Sequence, residues 1–304
     1  MNPSRVTVTA PAKINLCLGV GPVRADGFHS LATVYQAVGL YDEVTVSPSG
    51  AYSVTVHGEE RLSIDDVPTD ESNIAVRAAR LLAEHHGLDA CVDIVIDKGI
   101  PVAGGMAGGS ADAAAALVAC DALWGLRTPR DKLMALASEL GSDVPFAFVG
   151  GTAIGSGRGE VVTPLMTRGE YWWVVLESRK GLSTPAVYRE FDLLHAGNRV
   201  PDPEIPDELM QALRAHDIEG LGAALVNDLE PAALRLRPEL GDALEQGMLN
   251  SAHGAILSGS GPSCLFLCEG RAHAVQVAGG VQDLGAVSFA LGPVPGARVT
   301  SVER

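Results

Sequence analysis

The 304-residue chain is short of aromatic residues, of positive charge and of cysteine. Phe, Trp and Tyr make up 5% of it, so an aromatic beside a proposed binding loop is more informative than usual. Lys and Arg number 22 against 37 Asp and Glu, a formal net charge of −15. That balance argues against a general binder of nucleic acid or anionic membrane, although backbone N–H groups and a few local cations can still hold a small anion. The five cysteines, Cys17, Cys91, Cys120, Cys264 and Cys268, form no CxxC pair, so neither zinc nor a disulfide framework is suggested. They read as reduced, buried, small apolar residues of a cytoplasmic protein. No apolar run reaches the length of a bilayer span. The first residues, Met1 to Val6, lack the apolar core of a secretion signal. No repeat recurs at a solenoid period.

Hydrophobic residues make up 47% and charged residues 19%, which supports a sizeable core and allows two domains. The centre of the chain is glycine-rich. Gly104, Gly105, Gly108 and Gly109 fall within six residues, between Pro101 and Ser110. Upstream, Val92, Ile94 and Ile96 alternate with polar residues as in a strand. Downstream, Ala111 to Leu117 is an alanine-rich helix former. Strand, glycine loop and helix start together suit a phosphate, because the backbone approaches closely and turns free N–H groups inward. The Gly-Lys-Ser/Thr ending of a Walker loop is missing, since Ser110 directly follows Gly109. A tight strand–helix turn remains the competing reading of the loop by itself.

Along the rest of the chain, Val6 to Thr9 reads as a strand running into Ala10 to Leu16, with Pro11 limiting pairing. Lys13 and Asn15 alternate with Ile14 and Leu16 and so face one way. A turn is expected at Asp26-Gly27, followed by Phe28 and His29. Val44–Val46 and Tyr52–Val56 read as strands joined by a Ser-Pro-Ser-Gly turn. Helices are expected over 73–86 and 110–124, with a third opening at Thr128-Pro129 and closing at Gly141. Gly141 to Phe146 is a turn carrying Asp143. After about residue 160 the composition shifts to helices mixed with strands, the strands expected to pair antiparallel.

Three segments, Pro11-Ala-Lys13, Pro101 to Ser110 and Leu257 to Gly261, resemble in that order the three motifs of the GHMP kinase superfamily. Pro11 to Leu16, Arg24-Ala-Asp-Gly-Phe-His29 and Gly141-Ser-Asp-Val-Pro145 are closer still to one branch, whose acceptor is a cytidine diphosphate-linked methylerythritol. The resemblance runs from Val6 to about Phe266. It implies an α+β, two-domain fold: a ribosomal protein S5 domain 2-like ATP-binding domain over 1–160, a ferredoxin-like domain over 161–304, and the active site between them.

It also implies that Pro101, Val102, Ala103, Gly104, Gly105, Met106, Ala107, Gly108, Gly109, Ser110 and Ala111 bind the ATP phosphates. Asp143 is implied as the base, assisted by Lys13. Phe28, His29 and Tyr188 are implied to hold the cytosine, with Asn15 nearby. Mg²⁺ accompanies ATP, with the Ser110 hydroxyl either a ligand to it or an N-cap. A monomer or weak homodimer is expected, with a small-molecule substrate and no nucleic acid or membrane partner. Ala103 and Ala107 depart mildly from the usual loop, where glycine or a larger residue is common. Other GHMP kinases, for homoserine or mevalonate, a GHMP decarboxylase and a non-catalytic nucleotide-binding member are the alternatives. The Arg24–His29 stretch argues against the first two classes, and the pairing of Lys13 with Asp143 against the last.

Overall fold

The computed structural model describes residues 3–59, 62–102, 104–178 and 180–304. Its elements in chain order are β1 (Arg5–Val23), β2 (His29–Ser49), β3 (Ser53–Gly58), α1 (Ile74–His86), β4 (Cys91–Lys98), α2 (Gly108–Trp124), α3 (Arg130–Leu140), α4 (Val144–Val149), β5 (Thr152–Ser156) and β6 (Val161–Leu165). Then follow β7 (Tyr171–Glu177), α5 (Thr184–Leu194), α6 (Asp207–Ala215), α7 (Ile218–Ala224), β8 (Val226–Asn227), α8 (Glu230–Leu236), α9 (Glu239–Leu249), β9 (Gly254–Leu257), β10 (Cys264–Cys268), α10 (Arg271–Val281), β11 (Ala286–Gly292) and β12 (Arg298–Glu303).

Helix ends follow their local chemistry. Asn73 caps α1, its side chain accepting from the Ala75 N–H, and Gly87 closes the helix in the left-handed region. Gly125 does the same for α2. The start of α3 differs by one residue from expectation: Pro129 stands at the N-cap, and the Thr128 hydroxyl instead meets His86 Nε2 at 2.8 Å.

An eight-stranded sheet runs in the order β12-β1-β2-β4-β3, with β5 on β2, β6 on β5, and β8 beside β1. β1 and β2 form one long hairpin around the Asp26-Gly27 turn, and its register shifts at Pro11/Ala12. Val44–Val46 and Tyr52–Val56 fall in the strands β2 and β3 as expected, but these are not sheet neighbours. β4 lies between β2 and β3, antiparallel to the first and parallel to the second. β6, β8 and β12 draw this sheet from beyond residue 160, with β12 pairing β1 antiparallel. α2 packs on β1, β2 and α1.

The second sheet, β11-β7-β10-β9, is antiparallel throughout. It is buried on both faces, because alternate residues point opposite ways. Val174, Leu176 and Phe266 join a core with α9 and α10, whereas Trp173, Val175 and Leu265 join the core of the larger sheet. The Trp173 indole N–H donates to Gln36 Oε1 at 3.1 Å and ties the two sheets together.

Beneath the glycine loop lies a buried ionic cluster. Lys98 at the end of β4 pairs with Asp42 and with Asp112, the latter at 2.8 Å. Asp42 Oδ1 also accepts from the N–H groups of Gly99 and Ile100, which fixes the entrance of the loop. Burial, and then the Asp42 charge, push the Asp112 carboxyl well above the usual carboxylate range. Burial works against the Lys98 charge, but Asp112 and Asp42 outweigh it and raise the ammonium pKa.

Candidate active site

The glycine loop leads into α2 with its donors unspent. The N-cap position is Ala107, whose side chain caps nothing, and no acidic residue lies in the first turn. The N–H groups of the first turn therefore face outward at the positive end of a 17-residue helix. Ser110 sits inside that turn, so it is not the N-cap. Its hydroxyl makes no hydrogen bond to any described residue. Ala107 takes a left-handed conformation, φ 59°, which costs a residue with a Cβ about 1–2 kcal/mol. Ala103 lies outside the described residues.

Glycine is required at position 105 for a different reason. A Cβ there would stand 2.0 Å from the Ser258 carbonyl oxygen. The loop and the Ser258–Gly261 turn are thus in backbone contact, and the Ser258 hydroxyl donates to the Gly105 carbonyl at 3.0 Å. The turn is clamped from behind: Asn227 Nδ2 donates to the carbonyls of Leu257 and Gly259 at 3.0 and 2.8 Å.

Lys13 lies where these parts meet. Its backbone N–H donates to the Met106 carbonyl at 3.1 Å. Its Nζ donates to Asn15 Oδ1 at 2.7 Å and to the Gly105 carbonyl at 3.3 Å. Asp143 Oδ2 stands 3.6 Å from that nitrogen. Asp143 occupies the N-cap position of α4, yet its carboxylate makes no capping bond. Instead Oδ1 accepts from the Tyr35 hydroxyl at 3.2 Å. Burial first, then the Asp143 charge, push the Tyr35 hydroxyl well above its ordinary pKa, so it stays a donor. The result is a carboxylate held on one side by a phenol and on the other by an ammonium, with 30% of its side chain still exposed.

Asn15 is buried and bound at both ends, donating to Thr33 Oγ1 at 2.8 Å while accepting from Lys13. Thr33 in turn donates to the Cys17 carbonyl. Asn15 therefore orients Lys13. His29 and Tyr188 come together from β2 and α5, their rings stacked at 5.1 Å between centroids. His29 Nδ1 meets the Gly21 carbonyl at 2.8 Å, and a carbonyl only accepts, so Nδ1 carries the proton. Nε2 lies 3.4 Å from Asp192 Oδ1. Burial, then Asp143, raise the Tyr188 hydroxyl above its ordinary pKa. Phe28 is half exposed, with the Arg158 guanidinium 5.1 Å from its ring centroid.

Sequence reasoning missed Tyr35, Thr33, Asn227, Arg158 and Asp192. The alternation Thr33-Val34-Tyr35 was a strand signal that pointed Tyr35 to the same side as Lys13's partners. Asn227 lies in a two-residue strand with no periodicity to mark it.

Comparison with known proteins shows the family. The family model "GHMP kinases N terminal domain" matches residues 73–151, and "GHMP kinases C terminal" matches 209–287. The 4-diphosphocytidyl-2-C-methyl-D-erythritol kinase of Thermobifida fusca is 54% identical over 98% of this chain and 99% of its own length. A crystal structure of 4-(cytidine 5'-diphospho)-2C-methyl-D-erythritol kinase superposes with a TM-score of 0.75 at 33% identity, covering 94% of this chain and 99% of that one. L. major mevalonate kinase, at 16% identity and a TM-score of 0.76 over 97% of this chain and 99% of its own, shares the fold alone. Among the described residues no helix is long and apolar enough to cross a membrane. The chain is a small-molecule kinase that belongs to the 4-diphosphocytidyl-2-C-methyl-D-erythritol kinase family of the GHMP kinases.

Proposed function

We propose that this protein transfers the γ-phosphoryl group of ATP to the 2-hydroxyl of 4-diphosphocytidyl-2-C-methyl-D-erythritol, with Asp143 as base and Lys13 as its electrostatic partner. This places it in the methylerythritol phosphate route to isoprenoids. The observation that carries the reading is Lys13 Nζ, 3.6 Å from Asp143 Oδ2 and 3.3 Å from the Gly105 carbonyl, which brings the base and the phosphate loop to one cation. In the reaction the acceptor oxygen forms its bond to the γ-phosphorus, the bond from that phosphorus to the bridging oxygen breaks, and ADP leaves. The acceptor proton goes to Asp143.

Phosphoryl transfer asks the protein mainly for positioning and charge neutralisation. The loop 101–111 meets the phosphates, with the unspent N–H groups of the first turn of α2, at Gly108, Gly109 and Ser110, as donors. Lys13 meets the developing charge on the transferred group. Tyr35 fixes the Asp143 carboxylate so that its other oxygen turns to the acceptor. Asn15 and Thr33 keep Lys13 extended into the cleft. Mg²⁺ suits the hard oxygen donors available here, and the Ser110 hydroxyl, which has no partner among the described residues, would hold it beside phosphate oxygens and water. When bound, the ion neutralises phosphate charge.

Phe28, His29 and Tyr188 form the nucleobase wall. His29 and Tyr188 present stacked rings to that wall, with the Asp192 carboxylate beside His29 Nε2. Residues 1–160 carry the ATP loop, Lys13 and Asp143, and residues 161–304 contribute Tyr188 and the Ser258–Gly261 turn across the cleft.

The test is a panel of acceptors with ATP and Mg²⁺: the cytidine-linked alcohol, homoserine and mevalonate, each followed for ADP and for product mass. ADP in equal amount with a monophosphorylated cytidine product is expected. Transfer to homoserine or mevalonate alone would overturn the assignment.

A further inference from the structure

We propose that His253, Glu269 and His273 form a site for a divalent transition metal of the zinc type, apart from the catalytic cleft. One ligand atom from each lies within 4.8 Å of the others. His253 precedes β9, Glu269 follows β10 and His273 is in the first turn of α10. The three therefore meet at the end of the β9–β10 hairpin opposite the Ser258–Gly261 turn. No cysteine takes part, which is why cysteine spacing gave no sign of it.

The donor chemistry points to the metal class. Two imidazoles and one carboxylate are a borderline set, suited to zinc and its neighbours and poorly suited to Mg²⁺. Three protein ligands leave the fourth tetrahedral position to water. The ring nitrogens of His253 and the carboxylate of Glu269 have no hydrogen-bond or ion-pair partner among the described residues, so their lone pairs are available. The His253 ring meets that of His273 edge-on at 5.1 Å.

His273 is already oriented. Its Nε2 meets the Ser251 carbonyl at 3.0 Å, which makes that nitrogen the N–H donor and leaves the lone pair on Nδ1. A backbone carbonyl holding the far nitrogen is the usual outer support of a metal-bound histidine. Ser251 takes a left-handed φ of 74°, a conformation that a residue with a side chain adopts at a cost. Nδ1 now meets the Glu269 N–H at 3.2 Å, at the long end of the hydrogen-bond range, and metal binding exchanges that contact for a stronger one. Zinc bonds of about 2.0–2.2 Å place tetrahedral ligand atoms about 3.3 Å apart, so small rotations of three accessible side chains close the site. The bound ion would tie α10 to the hairpin.

Titrating Zn²⁺ alone into the metal-free, full-length, untagged protein by calorimetry tests this. One equivalent should bind with a Kd of about 10 μM or tighter. His253→Gln, Glu269→Gln and His273→Ala should each weaken that event at least about ten-fold. Millimolar Mg²⁺ should not compete. The melting temperature should rise with Zn²⁺ in the parent and not in the variants. If His273→Ala does not fold, the two glutamine variants carry the same test. Absence of a one-equivalent event, or an event of equal strength in the variants, would overturn the proposal.

Discussion

The Gly21 carbonyl sets the tautomer of His29, and Tyr188 stacks on the face of its ring. In the proposed function these contacts form the nucleobase side of the cleft. His29→Ala should therefore raise the KM for the cytidine-linked substrate by at least about ten-fold, the scale of a lost buried hydrogen bond and ring contact, while the KM for ATP moves less than about two-fold. Equal changes in both constants would place His29 outside the nucleobase pocket. Lys13, Asp143 and His29 were singled out in the sequence because each sits in a short local motif. Tyr35 was not, since what gives it a role is Asp143, 108 residues further along the chain. Asn15 was read as a neighbour of the substrate, and the structure shows both ends of its amide engaged, with Lys13 and with Thr33. Sequence alternation gave its direction and not its partners.

At the scale of elements, the glycine loop and the Ser258 turn work as one unit. Gly105→Ala puts a Cβ 2.0 Å from a backbone oxygen that cannot step aside. The two loops must part, and the expected result is loss of ATP affinity by an order of magnitude or more, read as ATP KM, together with a lowered melting temperature. Wild-type ATP KM in that variant would mean that the loop does not depend on the turn. Behind the turn, Glu230 accepts from the Leu257 N–H at 3.0 Å. Burial raises its pKa above the ordinary 4.5, and the Leu257 N–H lowers it by less. A carboxyl raised on folding contributes stability that is complete below its unfolded pKa and is lost as pH rises through the folded one. Glu230→Gln keeps the acceptor and removes the charge. It should melt higher than the parent at pH 7, with the difference shrinking as pH falls toward 4.5. A gap that widens on acidification would contradict the argument. Helix ends were largely readable, because Asn73, Gly87 and Gly125 act on their own neighbours. The β2-β4-β3 order was not, because a turn sequence encodes a reversal of direction and says nothing of which distant strand fills the gap.

For the whole molecule, the smaller sheet serves two cores at once, and Trp173 is the largest fully buried side chain in it. Trp173→Ala should cost about 3–5 kcal/mol by urea denaturation, and it also leaves Gln36 Oε1 without its indole donor. A cost below about 1 kcal/mol would show that the joint between the sheets does not bear on stability. The two-sheet arrangement could be foreseen from the family resemblance. That β12 returns to pair with β1 could not, because Arg298-Val-Thr-Ser-Val-Glu303 has no alternation and is exposed along its length, so nothing in it names a partner strand. These long-range pairings bring β1, α4, the glycine loop and the Ser258 turn to one place, where Lys13 and Asp143 meet. The most direct measurement of that claim is single-turnover ADP formation by Asp143→Asn with ATP, Mg²⁺ and the cytidine-linked acceptor, alongside its ATP affinity. The account predicts ATP binding within about two-fold of the parent and a transfer rate lower by about 10²-fold or more. A transfer rate near the parent value would remove Asp143 as the base.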